Sequence, residues 1–421
     1  MSVLTRRKML KDAALPIAGT FALPTLAAAV QDTSTPYQRP KLKITDVRTA
    51  QVRVHGLQTH IRVYTDQGLY GQGESTDAAV GTAALVSQFR RLLMGQDPLN
   101  VDALWERIRV SGIFAVAQGG QYVTALTGIE IALWDLAGKA LGLPVYQLLG
   151  GKFRDKIRIY CDSDMDDPLG PECDKKLPWI KDQGFTAMKI DLDEFNDPNR
   201  FDRVNWTANN AEVDRMVKWV RHVRESIPKE MELACDMHGR YDAGTAKRVA
   251  KELEPFRLLW LEEPVPAENI EAMADIRHST STPIACGENL YMRWGFRDLL
   301  NKNAVDIIQP DIQKTGGLSE GKKIANLAQT NYVPVAPHCV VSPIGMMSTA
   351  HMCAAIPNFL CCEWHWINFP DLWKNWVKEG EIIQKGYVTV TDKPGLGVEM
   401  NEDVAKKVLL PGTTWFEPSK A

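Results

Sequence analysis

The chain has 421 residues, 45% of them hydrophobic and 24% charged, with a formal net charge of −3. Such a length holds an α/β barrel of about 250 residues plus a second domain, and a near-neutral balance without a long basic run excludes a surface built for nucleic acid. Any charge on a substrate must therefore be met locally, by side chains at the site.

At the N-terminus, Arg6-Arg7-Lys8 and Lys11 precede an apolar stretch from Ala13 to Ala29 that is interrupted by Pro16, Gly19 and Pro24. The pattern predicts an export signal over residues 1–29, with Ala27-Ala28-Ala29 as the cleavage site, and the paired arginines resemble a twin-arginine signal. A stretch so short and broken makes a poor membrane span, which needs about 20 apolar residues. The expectation is a periplasmic protein that is free of the membrane once the signal is removed. Residues 30–40, with Pro36 and Pro40 among polar neighbours, read as a linker.

From Lys41 the pattern changes. Leu42 to Val47 and Ile61 to Thr65 alternate apolar and polar residues, and Asp66-Gln67-Gly68 supplies a turn before Leu69 to Glu74, so an antiparallel sheet opens the fold. Ile129, Leu133, Leu136 and Ala140 then recur at helical spacing until Gly142 and Pro144 stop the run. Residues 41–150 are predicted to form an α+β capping domain.

After Leu149-Gly150-Gly151 the chain repeats a strand, loop and helix. Ile157 to Cys161 and Thr186 to Asp191 read as the first two strands, and later apolar runs end at Asp236, Glu262, Glu288, Asp311, His338 and Glu363. Eight such units imply a parallel sheet closed as a (β/α)8-type barrel over residues 151–385. Glu194 to Asn210 is a predicted inserted loop. Residues 386–421, with a strand at Tyr387 to Val390 outside the barrel, are expected to return to the cap. Six of the eight cysteines, at 161, 235, 286, 339, 361 and 362, fall in or beside predicted strands and read as small core residues. No CxxC pair is present, which argues against zinc.

Asp236, Glu262 and Glu288 stand 26 residues apart, each at the end of an apolar run. Any one of them could cap the following helix. Three in register point instead to convergence at the barrel mouth, where mutual repulsion calls for a cation, and an all-oxygen ligand set favours Mg²⁺ before Mn²⁺. Asp311 and His338 on the next two strands suit a carboxylate that orients and charges an imidazole base. Such a base beside a divalent cation fits abstraction of a proton next to a carboxylate.

At these residues the chain resembles the enolase superfamily, and within it the mandelate racemase subgroup, over roughly residues 41–400. The resemblance rests on Ile131-Ala132-Leu133-Trp134-Asp135-Leu136-Ala137-Gly138-Lys139, Leu148-Leu149-Gly150-Gly151, Glu262-Glu263-Pro264, Gln309-Pro310-Asp311 and Ala336-Pro337-His338. It implies a modified (β/α)8 barrel with an N-terminal cap, Asp236, Glu262 and Glu288 as ligands of one Mg²⁺ per subunit, and a homo-oligomer. It also makes Asp311 and His338 the family's dyad and Glu363 the eighth-strand acid that hydrogen-bonds substrate.

Two positions select the branch. The subgroup's racemases carry Lys-x-Lys on the second strand, whereas here the residues are Lys189-Ile190-Asp191, so the second base is absent. Asp236-Met237-His238 puts an imidazole two residues past the first metal ligand, on the same face of an extended strand. This resembles galactonate and mannonate dehydratases, in which a third-strand histidine is the general acid. The implied reaction is removal of the C2 proton of a sugar acid by His338 and protonation of the departing 3-hydroxyl by His238, with Lys189 and Glu363 assisting at the carboxylate.

Asp191 reads as a hydroxyl-recognition group or a partner for Lys189 before a proton-transfer group, because an ordinary aspartate is too acidic to be a good base. Arg240 and Tyr241 are further candidates for sugar hydroxyls, Trp364, His365 and Trp366 after the eighth strand are candidates to wall the pocket, and the resemblance implies that the cap's loops around His55 to His60 and Ser111 to Tyr122 set selectivity. The competing readings are a racemase or epimerase of a 2-hydroxy acid, and a non-catalytic relative that binds acid sugars.

Overall fold

The structure is a computed structural model that describes residues 38–77, 80–115, 117–165, 167–193 and 206–418. The expected signal at 1–29 lies outside the described residues, as does the inserted loop apart from its last five positions.

The cap begins with three antiparallel strands, β1 (Ile44–Val54), β2 (Gly56–Thr65) and β3 (Tyr70–Asp77). Both β1 and β2 outrun the short alternating stretches seen in the sequence. The region 55–60, expected to be a loop, is a tight turn at His55 followed by strand. Gly56 takes φ +72° there, and the Gln58 side-chain amide donates to the His55 carbonyl at 2.7 Å. Three helices follow, α1 (Thr82–Leu93), α2 (Val101–Ser111) and α3 (Gly120–Leu141), and one face of the sheet buries Val47, Ile61 and Val63 against Phe89, Leu126, Ile129 and Leu133. β3 lies directly on the α3 backbone. A Cβ at Gly71 would stand 2.0 Å from the Ala132 carbonyl oxygen, and one at Gly73 would stand 2.2 Å from that of Gly128. Gly142 ends α3 in the left-handed conformation, and the Leu143 N–H reaches back to the Gly138 carbonyl at 2.9 Å.

The polar residues of α3 join distant segments. Asp135 accepts from the N–H groups of Gln72 and Leu396, both at 2.8 Å, and pairs with Lys139 at 2.8 Å. Glu130 accepts from Leu318 at 2.8 Å and Ser319 at 2.9 Å. The Trp-Asp run of the sequence is therefore a structural hub that fastens the cap to the chain's later half.

A short α4 (Val145–Leu148) leads into alternating strands and helices. These are β4 (Lys156–Asp162), α5 (Pro171–Asp182), β5 (Ala187–Asp191), α6 (Asn210–Ser226), β6 (Glu232–Asp236), α7 (Ala243–Glu252), β7 (Leu261–Glu262), α8 (Ile270–His278), β8 (Ile284–Cys286), α9 (Met292–Asn301), β9 (Ile307–Ile308), α10 (Leu318–Thr330), α11 (Pro343–Ala354) and β10 (Cys362–Trp364). Parallel pairing runs from β4 to β9 in order. It continues through single bridges from Ile308 to Val335 and from Val335 to Phe359, and β10 pairs back on β4. The seventh strand of the repeat is thus a single bridging residue, Val335.

Eight buried residues, Tyr160, Ala187, Ala234, Trp260, Ala285, Ile307, Ala336 and Cys361, form one apolar cluster inside this ring, one from each strand position. Side chains alternate along a strand, so residues two further on share that inner face. They are Asp162, Lys189, Asp236, Glu262, Gly287, Gln309, His338 and Glu363. An apolar floor therefore lies under a charged layer at the C-terminal ends of the strands, where barrel enzymes place their chemistry.

The remaining elements are α12 (Pro370–Lys374), β11 (Ile383–Gln384), β12 (Tyr387–Thr389) and α13 (Glu402–Ala405). β12 is not separate from the barrel wall: it pairs antiparallel with the start of β4, Tyr387 opposite Arg158. The chain then meets the cap, where Leu410 donates to Gln51 at 2.8 Å and Phe416 to Thr49 at 3.1 Å. All eight cysteines are buried and free of disulfides. Among the described residues no helix is long and apolar enough to cross a membrane.

Candidate active site

Carboxylate oxygens of Asp236, Glu262 and Glu288 lie within 4.8 Å of one another. The first two end β6 and β7 on the inner face. Glu288 reaches the same point differently, because the inner-face position is taken by Gly287. That glycine holds φ +148°, and a Cβ on it would stand 2.8 Å from the Phe296 ring and 2.9 Å from the Gln309 nitrogen. Only glycine fits such backbone, and the bend it allows turns Glu288 inward.

The triad is electrostatically strained. Glu262 is fully buried, and burial together with the neighbouring Asp236 charge pushes its carboxyl well above the usual range. Asp236 is also buried, which acts upward, yet His238 and Lys189 outweigh that and hold it at about 2. Oε1 of Glu262 is buried with no hydrogen-bond partner among the described residues. Oxygen donors only, close spacing and an unsatisfied buried oxygen fit a hard divalent cation.

Lys189, 1% exposed, sits beneath these acids. Its Nζ is 2.8 Å from Glu363, 2.9 Å from Asp236, and 3.4 Å from both Glu262 and Asp162. Burial alone would strip its proton, but the surrounding carboxylates raise its pKa well above the ordinary lysine value. Lys189 is therefore a fixed positive charge. No ion pair joins it to Asp191 among the described residues, so of the two readings of Asp191, hydroxyl recognition or pairing with Lys189, the pairing is not made.

His338 is held at Nδ1 by Asp311 Oδ2 at 2.7 Å, and its Nε2 points to Glu288 at 3.1 Å and Glu363 at 3.6 Å. Asp311 is itself fixed, accepting from the Gln313 N–H at 2.8 Å. Burial acts to lower the His338 pKa, and the charges of Glu288, Glu363 and Asp311 outweigh it, raising it to about 10.

His238 faces the same layer from the other flank, though not by strand extension as expected. β6 ends at Asp236, and His238 takes φ +45° in a turn where its N–H donates to Asp236 Oδ1 at 2.8 Å. A non-glycine residue in that region is costly and needs fixing by its surroundings. Here Asp193 provides it: Oδ1 meets His238 Nδ1 at 2.8 Å and Oδ2 meets Arg240 Nε at 2.5 Å. The free edge, Nε2, lies 3.7 Å from Asp236 Oδ2. Burial would lower the His238 pKa, but Asp236, Asp193 and Asp191 push it up to about 12. Asp191 stands beside it, its carboxyl raised well above the usual range by burial and by Asp162.

Two site residues are missing from the sequence reading, Asp162 and Asp193. Asp162 directly follows the strand read from Ile157 to Cys161 and Asp193 lies two residues past Asp191, so continuing the inward alternation by one step reaches both. Trp364 must be withdrawn from the substrate-binding set. Glu363 points inward, so Trp364 points outward, where it stacks on Phe185 and Trp179 with ring centroids 5.6 and 5.9 Å away. Tyr241, 2% exposed, belongs to the packed core between strands and helices. Arg240 is exposed and pairs with Asp193.

Residues 32–150 match the mandelate racemase / muconate lactonizing enzyme N-terminal domain, and residues 175–404 match the enolase C-terminal domain-like family. The chain is 41% identical over 379 residues to a D-xylonate dehydratase of Haloferax volcanii, covering 89% of this chain and 91% of that one. A D-galactonate dehydratase of Pectobacterium atrosepticum is 34% identical over 385 residues, covering 90% and 97%. The crystal structure of a mandelate racemase/muconate lactonizing enzyme-like protein from Rubrobacter xylanophilus superposes with a TM-score of 0.85 at 41% identity, covering 90% of this chain and all of that one. With both of its parts matched and its strand-end residues in the positions described, the chain belongs to the mandelate racemase/muconate lactonizing enzyme family of the enolase superfamily.

Proposed function

We propose that the protein is a metal-dependent sugar acid dehydratase, a hydro-lyase that converts an aldonate-type acid to a 2-keto-3-deoxy acid. The observation that carries this reading is a pair of histidines, each held by an aspartate, on opposite flanks of one carboxylate triad. Asp311 meets Nδ1 of His338 on one flank, and Asp193 meets Nδ1 of His238 on the other, leaving each Nε2 for proton transfer. A racemase needs a base on each face, and the subgroup's second-strand base position is held by Asp191, while Lys189 is committed to four carboxylates. Relatives that bear the names D-xylonate and D-galactonate dehydratase support the substrate class.

Asp236, Glu262 and Glu288 would hold one Mg²⁺ per subunit, which supplies charge to stabilise the substrate carboxylate as C2 is deprotonated and offsets the Glu288 charge that keeps His338 protonated. His338 takes the C2 proton at Nε2, with Asp311 fixing its orientation through Nδ1. Lys189 and Glu363 flank the substrate carboxylate. His238 gives its Nε2 proton to the departing 3-hydroxyl, which leaves as water, and the resulting enol tautomerises to the ketone. Asp191 serves hydroxyl recognition beside His238, with Arg240 behind it through Asp193.

The deciding experiment incubates the protein and Mg²⁺ with four-, five- and six-carbon sugar acids in D₂O. A 2-keto-3-deoxy acid is expected. Substrate recovered with deuterium at C2 in both configurations and no keto acid would make the protein a racemase. His338→Asn should abolish exchange at C2, whereas His238→Asn should block dehydration and leave exchange. We further propose export by a twin-arginine signal at residues 1–29 and assembly as a homo-oligomer. A reporter fused to those residues should depend on the twin-arginine route, and light scattering should give a mass above that of one chain.

A further inference from the structure

We propose that His55 of the cap and His365 beyond β10, with Asp162 and Asp164 beside them, form a subsite for the hydroxyl-bearing tail of the sugar acid and so select its chain length. This rests on the dehydratase reading above. Glu363 faces inward, so His365, two residues later, also turns toward the barrel mouth. There its ring meets that of His55, with centroids 3.9 Å apart and planes tilted by 46°. The two imidazoles come from segments more than 300 positions apart and meet only because the cap hairpin turns at His55. Asp164 brings a carboxylate to the same point, within 4.8 Å of both rings' nitrogens. It takes φ +46° after β4 and is steadied by Asn368.

The pair is equipped for hydroxyl groups. Nδ1 of His365 is buried, in a side chain only 8% exposed, with no hydrogen-bond partner among the described residues. A native buried polar atom of this kind calls for a partner. His55 stays neutral, because burial and then the adjacent His365 lower its pKa to about 4. A neutral imidazole offers one donor and one acceptor, the combination that matches an alcohol.

Position supports the same reading. In the eight-membered ring β7 lies across from β10 and β8 lies across from β4. The triad occupies β6, β7 and the turn after β8, so a substrate whose carboxylate is held there extends its tail toward β10 and β4. His365 follows β10 and Asp162 ends β4, with His365 Nε2 3.8 Å from Asp162 Oδ2. Asp162 in turn stands 3.4 Å from Lys189, so the subsite adjoins the charged layer through one carboxylate.

The test compares tetronate, pentonate and hexonate acids of one C2 and C3 configuration on His55→Phe and His365→Phe, which keep a ring but remove its nitrogens. Turnover is measured with Mg²⁺, and dissociation constants are measured by calorimetry on the same substitutions in a His338→Asn background. Both kcat/KM and affinity for the five- and six-carbon acids should fall on the order of tenfold, while those for the four-carbon acid stay within about twofold, as expected for hydrogen bonds that only the longer acids make. A variant that does not fold is replaced by His55→Gln or His365→Gln. Equal losses at all three lengths, or none, would overturn the subsite. So would a second equivalent of bound Zn²⁺ that both substitutions abolish without changing the length preference. Absence of keto acid from the unmodified protein would reject the dehydratase reading alone, because the calorimetric series still reports on the subsite.

Discussion

Asp193 gives the sharpest test of the general-acid role proposed for His238. It is 4% exposed and bridges His238 Nδ1 at 2.8 Å and Arg240 Nε at 2.5 Å. Asp193→Ala removes a hydrogen bond to a charged group, worth about 1.5–3 kcal/mol, so the step that uses His238 should slow roughly tenfold to a hundredfold. The charge of the imidazole should survive at neutral pH. Asp236 stays 3.7 Å from Nε2 and Asp191 remains nearby, and both act to raise the imidazole pKa. The loss is therefore one of orientation. In D₂O, C2 exchange should persist while keto acid formation falls, so the ratio of exchange to dehydration rises. The alkaline limb of the dehydration profile should also move to lower pH, because one of the charges that raise the His238 pKa is gone. Asp193→Asn, which retains an acceptor oxygen, should recover part of the ratio. An unchanged ratio in Asp193→Ala would refute the positioning role, and equal loss of exchange and dehydration would assign Asp193 to general structure.

Glu262→Gln should abolish the rise in melting temperature that Mg²⁺ produces in the unmodified protein, measured by calorimetry; a retained rise would place the ion elsewhere. Gly287→Ala forces a Cβ to within 2.8 Å of Phe296 on left-handed backbone, so it should cost about 1–3 kcal/mol and weaken Mg²⁺ binding by displacing Glu288. Trp364→Ala should lower stability by about 3–5 kcal/mol through lost packing while leaving KM unchanged, and a raised KM would return this residue to the substrate site. Glu74 joins the cap to the start of α11, accepting from the N–H groups of Ser342 and Gly345, both at 2.9 Å, and burial raises its carboxyl to about 7. Because the folded value exceeds the unfolded one near 4.5, its contribution is full below pH 4.5 and is lost as pH rises through 7, on the order of 3 kcal/mol. Glu74→Gln should flatten that part of the stability profile in denaturant titrations, whatever its mean offset.

Regular strand spacing makes most of the charged layer legible in the amino-acid sequence. Asp236, Glu262, Asp311, His338 and Glu363 each follow an apolar run, and a barrel gathers all strand ends at one mouth. The misses have a common origin in what happens just past a strand end. His238 was placed on an extended continuation and is in fact turned by positive φ. Asp193 and Asp162 were passed over because the apolar runs had already closed. Trp364 has the chemistry of a pocket wall, but its neighbour Glu363 occupies the inward parity. The cap's His55 could be assigned only to a vague selectivity region, since its partner His365 lies far along the chain.

The amino-acid sequence by itself carries the architecture and the candidate triad and base, because local periodicity and the 26-residue spacing of the three acids are encoded along the chain. Only the tertiary structure decided which charges neutralise which. Lys189 among four carboxylates, Asp193 behind His238, and His55 against His365 are contacts between remote segments. Their pKa values and orientations follow from burial and distance, which no linear pattern contains.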